Sequence, residues 1–291
     1  MWLAARWSGA FTPLAVVAVL DVTTWRRSFF LFGAIGFVWT VFFYRWFRDR
    51  PPDTGVTPFS EPARAEQARG ESPRSLAQVP VPWGRFLRSR SVWLLCVQYA
   101  CLSYGFWFYL TWLPTYIKEQ FGMAEADRYL AALLAAPPLF LAGISSWLTG
   151  WLTPRLVKRF GDVARVRRGL GATGCAFACL MLLVSVQLKH PVLAMVAMGC
   201  SCFGNDMAMP GSWAGCMDLG GRFAGTLSGL MNTWGCLGGL LAPWTIPYIL
   251  QATGNDWTPV IRVIAGWYFI GALCWLGIDP VTPVVRTGSA P

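Results

Sequence analysis

Histidine occurs once in the chain, at position 190, and none of the nine cysteines stands in a CxxC spacing. The residues of a metal or disulfide framework are therefore missing, and no cofactor-binding pattern replaces them. Cys96, Cys101, Cys175, Cys179, Cys236 and Cys274 lie in apolar runs, where a free buried thiol is the expectation. Charge is scarce too: Asp, Glu, Lys and Arg make up 13% of residues against 55% hydrophobic ones. Mean hydropathy is +0.46. A soluble fold cannot bury that much apolar surface, so a water-soluble enzyme or binding module is excluded in favour of an all-α, polytopic helical membrane protein. The opening residues lack a basic n-region and a small-residue cleavage site, so no signal peptide is expected.

Long polar stretches are almost absent, and the one exception organises the rest. Residues 48–91 carry too many prolines and charges for lipid or for a packed core, which predicts a loop with a surface helix near 83–87. Before it lie two apolar segments, 2–20 and 28–44. After it come six, at 92–117, 129–152, 169–188, 191–217, 223–250 and 263–278. Most approach the roughly 20 residues that cross hydrocarbon. Arg6 in the first segment and Arg262 beside the last are expected to snorkel to the interface. The cluster Tyr44, Arg45, Trp46, Phe47 and Arg48 reads as a membrane–water boundary.

The net charge of +10 has a membrane explanation that makes nucleic acid unnecessary as a partner. With eight spans alternating and 48–91 in the cytoplasm, eighteen Lys and Arg fall inside, Arg6 included, and six fall outside. The excess of basic residues in cytoplasmic loops orients both termini inward.

Four stretches could carry chemistry. Residues 104–116 are dense in aromatics and close on Pro114; they read either as lipid-facing and packed rings or, through Tyr104 and Phe108, as one wall of a solute cavity. Gly143-x6-Gly150 precedes a basic loop, with small residues that let helices approach. Asn205 and Asp206 fall inside a span, and a charge at that depth is functional by default. Asp206 is expected to take up a proton unless a cation or a water-filled cavity sits beside it, and a structural Asp near a break at Pro210 is the competing reading. Gly225 with Gly229 and Gly235 with Gly239 repeat the small-xxx-small spacing around Asn232, read structurally as an interhelical hydrogen bond.

These pieces, in order, resemble the major facilitator superfamily, within it the anion:cation symporters that include hexuronate, glucarate, galactonate and phthalate permeases. The resemblance rests on Trp25, Arg26 and Phe29 before a Gly-rich span, Trp46-Phe-Arg-Asp-Arg-Pro51, and Trp112-Leu-Pro-Thr-Tyr116. Trp213 with Asp218, and Gly225, Gly229, Asn232 and Gly239, complete it. Thr153 departs from it, standing where the family usually has Asp after the Gly. The resemblance implies twelve spans in two six-helix halves, with residues 1–47 matching spans five and six and residues 92–280 a whole second half. Residues 48–91 become the central cytoplasmic loop, 281–291 a cytoplasmic tail, and spans one to four are expected to be absent.

The implied activity is secondary transport of a small organic anion, a sugar acid or aromatic carboxylate, with H⁺ by alternating access across the inner (plasma) membrane. Trp213 and Asn232 would face the solute, Asp206 would couple the proton, and the lipid bilayer, the anion and the cation are the partners. Two other readings stand beside it. A membrane-embedded enzyme lacks a catalytic constellation in the spans. A truncated remnant, or a half that needs a partner chain, would not transport alone. Reporter fusions at residues 70 and 122 are expected to fall on opposite sides of the membrane; the same side for both would undo the span assignment.

Overall fold

The computed structural model describes residues 2–47, 80–122 and 127–285. Every regular element among them is a helix: α1 (Trp2–Val22), α2 (Trp25–Trp46), α3 (Trp83–Arg88), α4 (Arg90–Thr111), α5 (Leu113–Phe121), α6 (Arg128–Phe160), α7 (Val163–Ser185), α8 (Pro191–Gly220), α9 (Ala224–Ala252) and α10 (Trp257–Gly277). Seven helical stretches among the described residues are long and apolar enough to cross a membrane, one of them the 62 residues from Pro191 to Ala252. An unbroken helix of that length would run about 90 Å, three hydrocarbon thicknesses. It is instead divided at Gly221, whose φ of +51° only glycine adopts without strain. With a 3₁₀ turn over Gly221–Phe223 between α8 and α9, the stretch is two helices, so eight helices among the described residues are of spanning length.

Two compact units divide the chain. The smaller, Ala18–Pro82, contains the last turn of α1 and all of α2, which meet around a Thr23–Ser28 hydroxyl contact of 3.3 Å. Along α2 the rings of Trp39, Phe42, Phe43, Trp46 and Phe47 pack on one another, and nearly all its apolar side chains are exposed. A helix apolar on every face needs lipid or other helices around it.

The larger unit joins residues up to Val17 with those from Trp83 onward. Its helices close a ring: α8 packs on α7, α7 on α10, α10 on α4, α4 on α9 and α9 on α8, while α6 lies along α8. Small residues set these distances. Gly174 and Gly204 place α7 and α8 backbone to backbone, so that a Cβ on Gly174 would fall 2.6 Å from the Gly204 carbonyl. Gly238 does the same for α9 against Ala100 of α4, and Gly235 admits the Tyr99 ring. Gly225, Gly229 and Gly150, expected at such contacts, face open space instead. The spacing was right for a packing face, but only the 235–239 part turns toward a neighbour.

Other boundaries moved for local reasons. The span expected to close on Pro114 breaks at Trp112, and Pro114 sits in the first turn of α5, where its missing N–H costs nothing. The last span starts earlier than the expected residue 263, because α10 begins at Trp257 after Asp256 caps it by accepting the Thr258 N–H at 2.8 Å. Arg262 is exposed within α10 rather than before it. No break occurs at Pro210, since α8 runs through it. Helix α3 lies where a surface helix was expected. Beyond α10, residues 279–284 are tied back. Asp279 N–H donates to Ser91, Arg167 reaches both Asp218 (2.5 Å) and the Pro280 carbonyl (2.9 Å), and Val284 N–H meets the Leu219 carbonyl. The bulk of the polar stretch, with Gly70 and Arg286, lies outside the described residues.

Gly204→Leu would force α7 and α8 apart, a loss of about 1–3 kcal/mol or more. The Gly229→Leu protein is expected to melt in detergent as the parent does while the Gly204→Leu protein melts well below it; equal melting would refute the close-contact assignment.

Candidate functional site

Arg6, Ser146, Asn205 and Asp206 come from three helices and meet inside the larger unit. Asp206 lies near the middle of α8, fully enclosed. Its carboxylate accepts from Arg6 twice, Nε to Oδ2 at 2.6 Å and Nη2 to Oδ1 at 2.8 Å, across 200 residues of sequence. The paired N–H edges of a guanidinium match a carboxylate in this side-on geometry. Ser146 of α6 donates to Oδ2 at 3.2 Å, and Asn205 Nδ2 to Oδ1 at 3.0 Å. Pro210, four residues on, supplies no N–H to the Asp206 carbonyl, which adds a free acceptor along this stretch of α8.

The cation is as enclosed as its partner. Arg6 is 5% exposed, and its guanidinium lies 3.8 Å from the Phe106 ring centroid on α4 and 5.6 Å from that of Trp2. Contacts of this kind are worth up to about 2 kcal/mol when desolvated. The snorkelling expected of Arg6 therefore does not occur. A position near a helix end was taken for the membrane surface, whereas this end lies at the depth of Asp206. Without Arg6, the distribution expected from the sequence becomes seventeen basic residues against six, so that expectation keeps its sign. Two further facts hold α1 here. Gly143 of α6 leaves room for the Trp7 ring, and Trp7 stacks on Phe140 at 5.3 Å while its Nε1 donates to the Phe140 carbonyl at 3.2 Å.

The other candidates divide into two groups. Trp213 belongs near the pair: its ring is 6.3 Å from Trp2 and meets Tyr99 edge-on at 5.9 Å, and its Nε1 is buried without an acceptor. Tyr104 and Phe108 lie elsewhere. Tyr104 stacks on Trp267 at 5.1 Å and shares a 2.7 Å hydroxyl contact with Thr245. Phe108 is wholly enclosed among Tyr109, Tyr116 and Trp257. Asn232 is exposed on α9, away from the interhelical hydrogen bond of its structural reading. Sequence reasoning missed Arg6 as a site residue. The available signal was that Arg6 and Asp206 are isolated opposite charges, each within an otherwise apolar span.

Breaking a buried pair by removing one partner typically costs about 3–5 kcal/mol, whereas replacing both with apolar residues can be neutral. Arg6→Met and Asp206→Leu are each expected to lower the melting temperature in detergent, and the double variant to recover most of the loss; additive losses would show that the two groups are not coupled.

Comparison with known proteins agrees with this architecture. A family model described as Major Facilitator Superfamily matches residues 3–243. The chain is 30% identical over 280 residues to "Probable sulfoacetate transporter SauU" of Cupriavidus necator, covering 96% of this chain and 64% of that protein. It is 28% identical over 277 residues to "Ascorbate transporter, chloroplastic" of Arabidopsis thaliana, covering 94% and 49%. To "Sodium-dependent phosphate transport protein 1, chloroplastic" of the same plant it is 28% identical over 281 residues, covering 94% and 51%. The chain thus spans about half to under two thirds of the length of these relatives. With spanning helices, a glycine-packed helical ring and a family match over most of its length, the chain is a multi-pass membrane protein that belongs to the major facilitator superfamily.

Proposed function

We propose that this chain works in secondary active transport of a small organic anion, a sugar acid or an aromatic carboxylate, with H⁺ as the coupling ion and alternating access as the mechanism. The observation that carries the reading is the enclosed Arg6–Asp206 pair, a buried cation and a buried carboxylate in direct contact inside the helical bundle. A lipid-embedded protein keeps such groups at a high desolvation cost, and in transporters they mark ion and substrate paths. Relatives named for sulfoacetate, ascorbate and phosphate transport support an anionic solute.

In this reading the chain is organised as residues 1–47, the last two helices of one bundle; 48–91, a cytoplasmic central loop; 92–280, a six-helix bundle; and 281–291, a cytoplasmic tail. It resides in the inner (plasma) membrane, both ends cytoplasmic, as the seventeen-to-six excess of basic residues favours. Trp213 and Asn232 contact the solute. The unpartnered indole N–H of Trp213 and the exposed amide of Asn232 suit that role better than Tyr104 or Phe108, whose polar and apolar groups are already engaged. Asp206 carries the proton. Sodium is the second possible coupling ion, favoured by the name of the phosphate-transporting relative.

The full chain in proteoliposomes is expected to accumulate labelled gluconate or benzoate under an inward proton gradient and to lose that accumulation on adding a protonophore. Accumulation driven by sodium alone would replace the proton, and no saturable uptake of either anion would refute the carrier reading for this chain. Trp213→Ala and Asn232→Ala are expected to raise KM by on the order of tenfold, the loss of one good contact. Phe108→Ala is expected to lower the melting temperature with KM retained.

A further inference from the structure

The two glycines of the Gly143-x6-Gly150 stretch have different surroundings. Gly143 leaves room for the Trp7 ring, whereas a Cβ on Gly150 would meet nothing within 4 Å. Close helix approach therefore does not account for Gly150. Helices α6 and α7 each lie along α8 yet scarcely meet one another, and a groove of about 230 Å³ runs between them. Pro210, Gly211 and Ala214 of α8 form its floor, Gly150 and Pro154 of α6 one wall, and Leu170 of α7 the other. Thr153 also lines it, but its hydroxyl is spent within α6, donating to the Thr149 carbonyl at 2.7 Å. The lining is thus apolar or already satisfied. Arg167, at the end where α6 gives way to α7, is the one charge on it, and it holds Asp218 and the Pro280 carbonyl.

At that end the charge is one-sided. Residues 155–168 carry six Lys and Arg and a single Asp. Arg165 pairs with Asp162 and Arg167 with Asp218, while Arg155, Lys158 and Arg159 are exposed and have no ion-pair partner among the described residues. Lys158 continues the Gly150–Pro154 row in steps of four, so it stands on the face that walls the groove. Beside it the Arg155 guanidinium lies 3.5 Å from the centroid of the exposed Trp151 ring, and exposed tryptophans among cations mark the level of a membrane–water boundary. We propose that this groove seats one acyl chain of an anionic phospholipid whose phosphate is held by Arg155, Lys158 and Arg159. The groove is too small for another helix, which is about 10–12 Å across, but wide enough for a hydrocarbon chain. An apolar crevice offers a polar solute nothing to bind, and the cations a turn beyond its wall offer an anionic headgroup charge complementarity. The site stands whether or not the chain is a carrier.

The test uses the purified full chain, stripped of lipid in dodecyl maltoside, and palmitoyl-oleoyl phosphatidylglycerol as the probe. The lipid is expected to raise the melting temperature and to stay bound, one per chain, in native mass spectrometry. Phosphatidylcholine with the same chains and free glycerol phosphate are expected to do neither. Each cation removed is expected to weaken retention about fivefold, so the triple variant Arg155→Gln/Lys158→Gln/Arg159→Gln loses on the order of a hundredfold. Because those side chains are exposed, it is expected to melt with the parent in detergent alone. Gly150→Phe places a ring in the open space of the groove and is expected to exclude the acyl chain with the three cations intact. An equal shift from phosphatidylcholine, a shift from glycerol phosphate alone, or parent-like retention by the triple variant overturns the proposal. So does parent-like retention by a folded Gly150→Phe protein. Should Gly150→Phe fail to fold, the headgroup comparison and the triple variant decide alone.

Discussion

A charge enclosed among lipid-embedded helices must be neutralised by something within reach, and here each charge is the other's solution. Arg6 alone on α1 or Asp206 alone on α8 would be expensive to bury. Together, with Ser146, Asn205 and the Phe106 ring, they satisfy one another and fix α1 against α6 and α8. Much of the nearby packing follows from that demand. Gly143 is bare so that Trp7 can settle beside it, and Trp7 and Phe140 stack because α1 has been brought there. The pair is as much a constraint on α1's position as a consequence of it.

Elsewhere in the larger unit the organising device is close approach rather than charge. Lipid offers helices no hydrophobic reward for meeting, so contact depends on shape, and small residues let backbones interlock. Gly174 against Gly204 and Gly238 against Ala100 are backbone-to-backbone contacts that any side chain would push apart. Around α5 the device is aromatic instead: Phe108, Tyr116 and Trp257 interlock, and Trp257 Nε1 reaches Glu119 at 3.0 Å, joining α10 to α5. These contacts are dominated by ring packing, the expected character of a scaffold. The Arg6 neighbourhood differs in being held by a buried ion pair, with Trp213 Nε1 and Asn205 Oδ1 nearby among the buried groups without a hydrogen-bond partner.

That contrast separates the candidate residues more sharply than composition could. Tyr104, Phe108, Trp213 and Asn232 looked equivalent as polar or aromatic residues in apolar spans. Tyr104 has its hydroxyl partner in Thr245 and Phe108 has a full shell of rings, so neither has capacity left for a solute. Trp213 has a buried N–H without a hydrogen-bond partner, and Asn232 has an exposed amide.

Hydropathy and charge placement were enough to establish helices, their number and their approximate ends, because crossing hydrocarbon demands a length and a composition that one dimension records. The cost of a buried charge was enough to single out Asp206. What the sequence could not decide was which residues face one another. Gly229 and Gly239 carry the same spacing, yet only Gly239 turns toward α4, since helix rotation is set by neighbours. Arg6 had the local profile of an interfacial residue, and its partner lies 200 residues away. Only the assembled helices place that cation at the depth of that carboxylate, because pairing across a bundle is a property of packing and leaves no mark on either segment alone.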